Sequence, residues 1–266
     1  METTYADWEI NLDDIKIVSE IQSAGDTVVY LCLWRNYQTV VMKVIPGCAE
    51  RELNILSKCL HPCICQFLGG CIQNDKTFML FEYMPFGNLK TFMKSEPSRL
   101  EKLKIAFDVS IALDYLANRK PNGILHRDIK PENILIGVNK CAKLCDFGIS
   151  KITLTTASPR RHTGEMGTVR WTAPEVLASQ LYDEKSDVYS FGMVLKYIWS
   201  GVIPYSDYEM AFQAAFAKIN NIKDDTSIID DPSIRSLVER CISFDPSLRP
   251  THSQVAESLK NLLLSQ

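Results

Sequence analysis

Apolar positions in the first third of the chain fall in short runs rich in β-branched residues. Residues 28–33 and 39–45 predict strands, and the apolar run 78–81 predicts a third. One helix interrupts them at 48–59, with Leu53, Leu56 and Ile55 turned inward. Further along the period becomes helical. Ser98-Arg99-Leu100-Glu101 has the Ser-x-x-Glu form of a capping box, and Leu103, Ala106, Phe107, Ser110, Leu113 and Ala117 follow at helical spacing. A second box, Thr251-His252-Ser253-Gln254, follows Pro250 and opens a helix with Val255, Leu259, Leu262 and Leu263 on one face. Short strands are expected at 133–136 and 142–145. The polar stretch 149–166 has little periodicity, and a loop that long inside a compact domain is usually functional. The pattern predicts a small β-rich lobe, then a larger helical lobe, with the seam near 83–88.

Composition narrows the function classes. The chain has 266 residues, 46% hydrophobic and 23% charged, which is globular rather than disordered or fibrous. Lys plus Arg number 29 against 32 Asp plus Glu, a net charge of −3. That balance argues against nucleic acid or anionic lipid as a partner. No apolar run approaches the roughly 20 residues that span a bilayer. Met1-Glu2-Thr3-Thr4 lacks the basic start of a secretory signal, and Glu2 stands where myristoylation needs Gly. Nine irregularly spaced cysteines read as reduced thiols of a cytoplasmic protein.

The chemistry is concentrated in ordered motifs. His126-Arg127-Asp128-Ile129-Lys130-Pro131-Glu132-Asn133 is followed thirteen residues later by Asp146-Phe147-Gly148, then by Ala173-Pro174-Glu175. Upstream stand Val40-Val41-Met42-Lys43, and Glu52 nine residues before His61-Pro62. In these motifs the sequence resembles the eukaryotic protein kinase family, from about Trp8 to Leu263. The resemblance implies an α+β bilobal fold: a small antiparallel sheet lobe with one helix, and a larger helical lobe. It places an N-terminal extension at 1–13 and the kinase domain at 14–264, divided into 14–84 and 85–264.

The implied cofactors are ATP and Mg²⁺ or Mn²⁺. Phosphoryl transfer asks a protein for positioning and charge stabilisation. By resemblance Asp128 accepts the proton of the substrate hydroxyl, and Lys130 reaches the γ-phosphate. Lys43 holds the α- and β-phosphates and is oriented by Glu52, while Asn133 and Asp146 offer hard oxygen ligands to the metal. The nucleotide is expected against Ile21, Ala24, Val29, Val41, Asn88 and Leu135, with backbone bonds from Glu82 and Met84 and with Phe81 behind. His126, Phe147, Leu56, Phe67 and Asp187 match a structural spine, and Arg249 matches the partner of Glu175.

Two features depart from the family pattern. The three glycine places of the phosphate loop hold Gln22, Ala24 and Thr27, and the only glycine is displaced to Gly25. A Cβ at those places keeps the backbone from the phosphates. Asp26 adds a carboxylate there, and Val41 narrows the adenine slot. A separate group, Cys59, His61, Cys63 and Cys65, alternates through a turn broken by Pro62. Zinc sites usually show two pairs instead, so metal binding is the lesser reading there.

Lys130-Pro131-Glu132-Asn133 and Gly167-Thr168 resemble serine/threonine kinases, in which that Thr hydroxyl bonds the Asp and Lys of the loop. Trp171-Thr172-Ala173-Pro174-Glu175 and the stretch 186–192 resemble the tyrosine-kinase side. The mixture resembles the tyrosine-kinase-like group and implies transfer to Ser or Thr of a protein substrate. The rival readings are a pseudokinase scaffold and a dual-specificity or tyrosine kinase. The stretch 149–166 offers Thr163, and after it Ser158, as a phosphate acceptor facing Arg127.

Overall fold

The computed structural model describes residues 7–120, 123–146, 168–178 and 182–265. The chain divides into two compact units, Met1–Pro85 and Phe86–Gln266.

The first unit is built on one antiparallel sheet. Its strands are β1 (Ile15–Ala24), β2 (Thr27–Trp34), β3 (Gln38–Pro46), β4 (Phe67–Gln73) and β5 (Lys76–Glu82), in the order β1-β2-β3-β5-β4. The strands expected at 28–33, 39–45 and 78–81 are β2, β3 and β5. β1 and β4 carry weaker local signals. β1 is an edge strand whose residues are nearly all exposed, with register shifts between Ile17 and Ser19 and between Glu20 and Gln22. β4 contains Gly69 and Gly70 because residues 8–10 lie directly against it. Gly70 N–H donates to Trp8 O at 2.8 Å, and Ile10 N–H donates to Gly70 O at 3.0 Å. A Cβ on Gly69, whose φ is +150°, would meet the Ile10 side chain at 2.4 Å.

The displaced glycine of the phosphate-loop stretch has a local task. Ala24 pairs with Thr27, so Gly25 and Asp26 form a two-residue hairpin turn. Gly25 takes the first turn position with φ +55°, where glycine is favoured in such turns.

One face of the sheet carries a core of Cys32, Val40, Met42, Val44 and Leu80, covered by Ile10, Leu12, Ile15, Tyr30, Trp34, Leu68 and Phe78. The helix expected at 48–59 is shorter, α1 (Glu50–Leu56), with Leu53 and Leu56 buried. Ala49 gives it no side-chain cap. The buried Thr77 of β5 substitutes: its hydroxyl accepts from Ala49 N–H at 2.9 Å and donates to Gly47 O at 2.7 Å.

The second unit is mainly helical: α2 (Leu89–Phe92), α3 (Arg99–Ala117), α4 (Pro174–Leu177), α5 (Glu184–Ser200), α6 (Ala211–Ile219), α7 (Pro232–Cys241) and α8 (His252–Leu264). Both expected capping boxes are formed, at Ser98 with Glu101 and at Thr251 with Gln254. They start α3 and α8, which pack on each other. The buried positions of α8 are His252, Val255, Ala256 and Leu259, while Leu262 and Leu263 are half-buried. α5 is buried from Ser186 to Ile198 without a break, so no polar face marks it as a surface helix. A small hairpin, β6 (Ile134–Ile136) with β7 (Ala142–Leu144), completes the unit. An antiparallel-sheet unit followed by a helical unit meets the α+β expectation.

Candidate active site

In the first unit, strand register collects the expected nucleotide residues on one face. Val41 lies opposite Leu31 of β2 and Phe81 of β5, and Lys43 lies opposite Val29 and Met79. Cross-strand partners share a face, so Val29, Val41, Lys43 and Phe81 stand together, away from the core cluster. Ile21 and Ala24 are exposed on β1, Ile21 at the second register shift.

At the end of β5, Glu82 is tied to the residue before β4. Its N–H donates to Gln66 O at 3.1 Å, and its carboxylate accepts from Gln66 N–H at 2.7 Å. Met84 is buried, and neither its backbone N–H nor its C=O is hydrogen-bonded among the described residues. Glu52 is half-buried on α1.

In the second unit the loop carrying Asp128 is held from below. His126 is 1% exposed. Its N–H donates to Asp187 Oδ2 at 2.8 Å and that of Arg127 to Asp187 Oδ1 at 3.0 Å, so one carboxylate of α5 grips two successive amides. The Tyr182 hydroxyl also donates to Asp187, and burial keeps its phenol protonated well above the ordinary tyrosine value. Arg127, at φ +66°, stacks over the Tyr182 ring at 5.5 Å.

Above this base four side chains close a network. Asn133 Nδ2 donates to the backbone O of Asp128 at 2.7 Å and to its Oδ2 at 2.9 Å. Lys130 Nζ lies 3.0 Å from the same Oδ2 and donates to the Thr168 hydroxyl at 3.2 Å. That hydroxyl donates in turn to Asp128 Oδ1 at 3.4 Å. Asn133, Lys130 and Thr168 thus all bring donors to the Asp128 carboxylate, which is acceptor-only when ionised.

With Nδ2 on Asp128, the Oδ1 of Asn133 is the oxygen left to a cation. Asp146 is exposed at the end of the β6–β7 hairpin, at φ +56°. An amide oxygen and a carboxylate are the hard donors that Mg²⁺ prefers, so these residues fit the implied metal. Asn88 and Leu135 meet through an isolated bridge. The Asn88 Oδ1 caps α2, accepting from Thr91 N–H at 2.9 Å.

Glu175 and Arg249 form a buried fork, with Nη1 to Oε1 at 2.7 Å and Nη2 to Oε2 at 2.9 Å. Burial raises the Glu175 pKa, and the Arg249 hydrogen bonds and charge outweigh it, so the net shift is downward. Cys59, Cys63 and Cys65 are buried, and Cys63 N–H donates to His61 Nδ1 at 3.1 Å. Phe147 and the stretch 149–166, with Thr163 and Ser158, lie outside the described residues. Sequence reasoning missed Tyr182, Arg170 and Lys218. None of them belongs to a motif, and each acts on residues distant in sequence.

Residues 15–259 match the family model described as protein tyrosine and serine/threonine kinase. The chain is 28% identical to the serine/threonine-protein kinase STY17 of Arabidopsis thaliana, over 97% of its own length and 46% of that protein. It is 31% identical to the serine/threonine/tyrosine-protein kinase HT1 of the same plant, over 96% of its length and 68% of that protein. It is 34% identical to the probable serine/threonine-protein kinase drkB of Dictyostelium discoideum, over 96% of its length and 38% of that protein. The chain thus spans about half the length of STY17 and less of drkB.

Proposed function

This chain belongs to the protein tyrosine and serine/threonine kinase family, and from that premise we propose that it transfers the γ-phosphate of ATP to Ser and Thr hydroxyls of protein substrates. The observation that carries the reading is the Thr168 hydroxyl bridging Lys130 Nζ and Asp128 Oδ1. It ties a lysine-bearing catalytic loop of the serine/threonine kind to the segment leading into Ala173-Pro174-Glu175.

The Asp128 carboxylate takes the proton of the incoming hydroxyl, as that oxygen bonds to phosphorus and the bond to the ADP oxygen breaks. Lys130 stands 3.0 Å from Asp128 as a compact cation for charge developing on the phosphoryl group. Lys43 is assigned to the α- and β-phosphates, and Met84 offers an N–H and a C=O to the adenine edge. Ile21, Ala24, Val29, Val41, Asn88 and Leu135 are assigned to the rest of the nucleotide. A Mg²⁺ or Mn²⁺ ion on Asn133 Oδ1 and Asp146 would neutralise phosphate charge. All nine cysteines are free thiols, which supports a reducing, cytoplasmic setting.

The test is to incubate the purified chain with labelled ATP, Mg²⁺ and three peptides differing only in a Ser, Thr or Tyr acceptor. Label is expected on Ser and Thr and absent with Asp128→Asn. Label confined to Tyr would overturn the acceptor assignment. A second reading, a scaffold with weak or no transfer, is favoured by the tight Gly25–Asp26 turn. No label on any peptide, with no rise in melting temperature on adding ATP and Mg²⁺, would select it.

A further inference from the structure

Lys218 on α6 is a charged side chain in the interior, 1% exposed. Its Nζ donates to three backbone carbonyls of one turn: Val169 at 3.2 Å, Arg170 at 2.6 Å and Thr172 at 2.9 Å. An ammonium has three N–H donors and a neutral amine only two, so the three carbonyls match the charged form. The ammonium also lies 5.2 Å from the Tyr189 ring centroid and 5.1 Å from that of Tyr205, as a cation does. Burial pulls its pKa well below the ordinary lysine value; the Asp224 carboxylate opposes that, and Arg170 adds to it.

The turn answers in kind. The Arg170 guanidinium reaches carbonyls of the segment before α6: Pro204 at 3.1 Å, Tyr208 at 2.6 Å, and Tyr205. Asp224 steadies that segment, accepting from Tyr205 N–H at 3.0 Å and pairing with the buried Lys196. Two cations thus clasp the turn and the helix from opposite sides. An apolar residue at position 218 would fill the space and remove the ammonium donor from all three carbonyls, of which Val169 O would keep only the Thr172 N–H at 3.3 Å.

The turn begins at Thr168, whose hydroxyl touches both Lys130 and Asp128. We propose that Lys218 is a positioning residue for phosphoryl transfer: it fixes the 168–172 turn and, through Thr168, sets the orientation of Lys130 and Asp128. The inference rests on the phosphotransfer reading above. It predicts that losing the ammonium slows the chemical step while nucleotide binding is spared.

The test compares the wild-type chain, Lys218→Met, Thr168→Val and the double variant. Lys218→Met should lower kcat about ten- to a hundredfold and leave KM for ATP within about twofold. Because both residues act on one contact, the double variant should be no slower than the worse single one. Independently of activity, the Trp171 and Thr172 amides, which donate to Thr168 O at 3.0 and 3.2 Å, should lose hydrogen-exchange protection in Lys218→Met. Lys218→Gln, which keeps two donors, should fall between wild type and Met in both readouts.

A folded Lys218→Met with wild-type kcat overturns the proposal. So does a double variant whose losses multiply, and so does failure of both Met and Gln variants to fold, since Lys218 would then hold the fold rather than the site. A wild-type chain without transfer overturns the phosphotransfer reading. Unchanged exchange at 171 and 172 in Lys218→Met is the separate result that would overturn the hold on the turn.

Discussion

Asn133 holds Asp128 twice with one amide nitrogen, at the backbone carbonyl (2.7 Å) and at the carboxylate oxygen Oδ2 (2.9 Å). The two hydrogen bonds fix both the loop backbone and the carboxylate plane, and by engaging the amide nitrogen they leave the amide oxygen Oδ1 of Asn133 for a cation. Asn133 is 6% exposed, so water competes poorly for these contacts.

Asp128→Asn should abolish most transfer and leave the chain folded. The amide cannot accept the substrate proton, and general-base catalysis of this kind contributes about 10²–10⁴-fold. The new amide must turn its oxygen toward both Asn133 Nδ2 and Lys130 Nζ. A phosphotransfer assay and a thermal melt of the same preparation check both halves. Retention of more than about a tenth of wild-type activity would remove Asp128 from the role of base.

Thr168→Ser and Thr168→Val separate the hydroxyl from the side-chain shape. Serine keeps an O–H able to accept from Lys130 and donate to Asp128, so kcat should stay within about threefold of wild type. Valine is nearly isosteric and removes both bonds, so kcat should fall about tenfold or more. Equal kcat values in the two variants would show that the bridge does not matter to transfer.

Arg249→Met should destabilise the chain by about 3–5 kcal/mol, because it leaves the Glu175 carboxylate buried without its partner. The pH dependence should also change sign. In the wild type the folded Glu175 pKa lies below its ordinary 4.5, so its contribution is complete above that value and is lost as pH falls through the lower folded one. Without Arg249, burial dominates and raises the pKa, so the variant should recover stability as pH falls and the carboxyl protonates. Denaturant melts of both proteins at pH 7 and pH 4.5 test this. A stability gap that widens toward acid would contradict it.

Gly25→Ala should cost about 1–2 kcal/mol, the penalty of a Cβ in the left-handed region. Nothing lies within 4 Å of the added Cβ, so the cost is conformational rather than steric. Gly25→Asn should cost less, since Asn tolerates that region better. Thermal melts rank the three, and an Ala variant as stable as wild type would mean that the hairpin turn relaxes freely.

The β2, β3 and β5 strands and the starts of α3 and α8 were legible because their signals are local. A run of β-branched residues or a Ser-x-x-Glu cap operates within a few positions of chain. The order of the His126, Asp146 and Ala173 motifs carried the family likewise, and the serine/threonine form of Gly167-Thr168 pointed to the Thr168 bridge. β1 was not legible, because an exposed edge strand with two register shifts loses clean alternation. Nor was α5, whose burial on all sides removes the amphipathic period. Tertiary structure alone showed that Gly25 serves a turn and that Thr77 caps α1. It alone decided the place of Lys218. In sequence this is one more lysine on a short helix, of a type almost always left in water. Only a fold that brings carbonyls from 46 to 49 positions away can satisfy its three donors in the interior, and no local pattern encodes partners that far off.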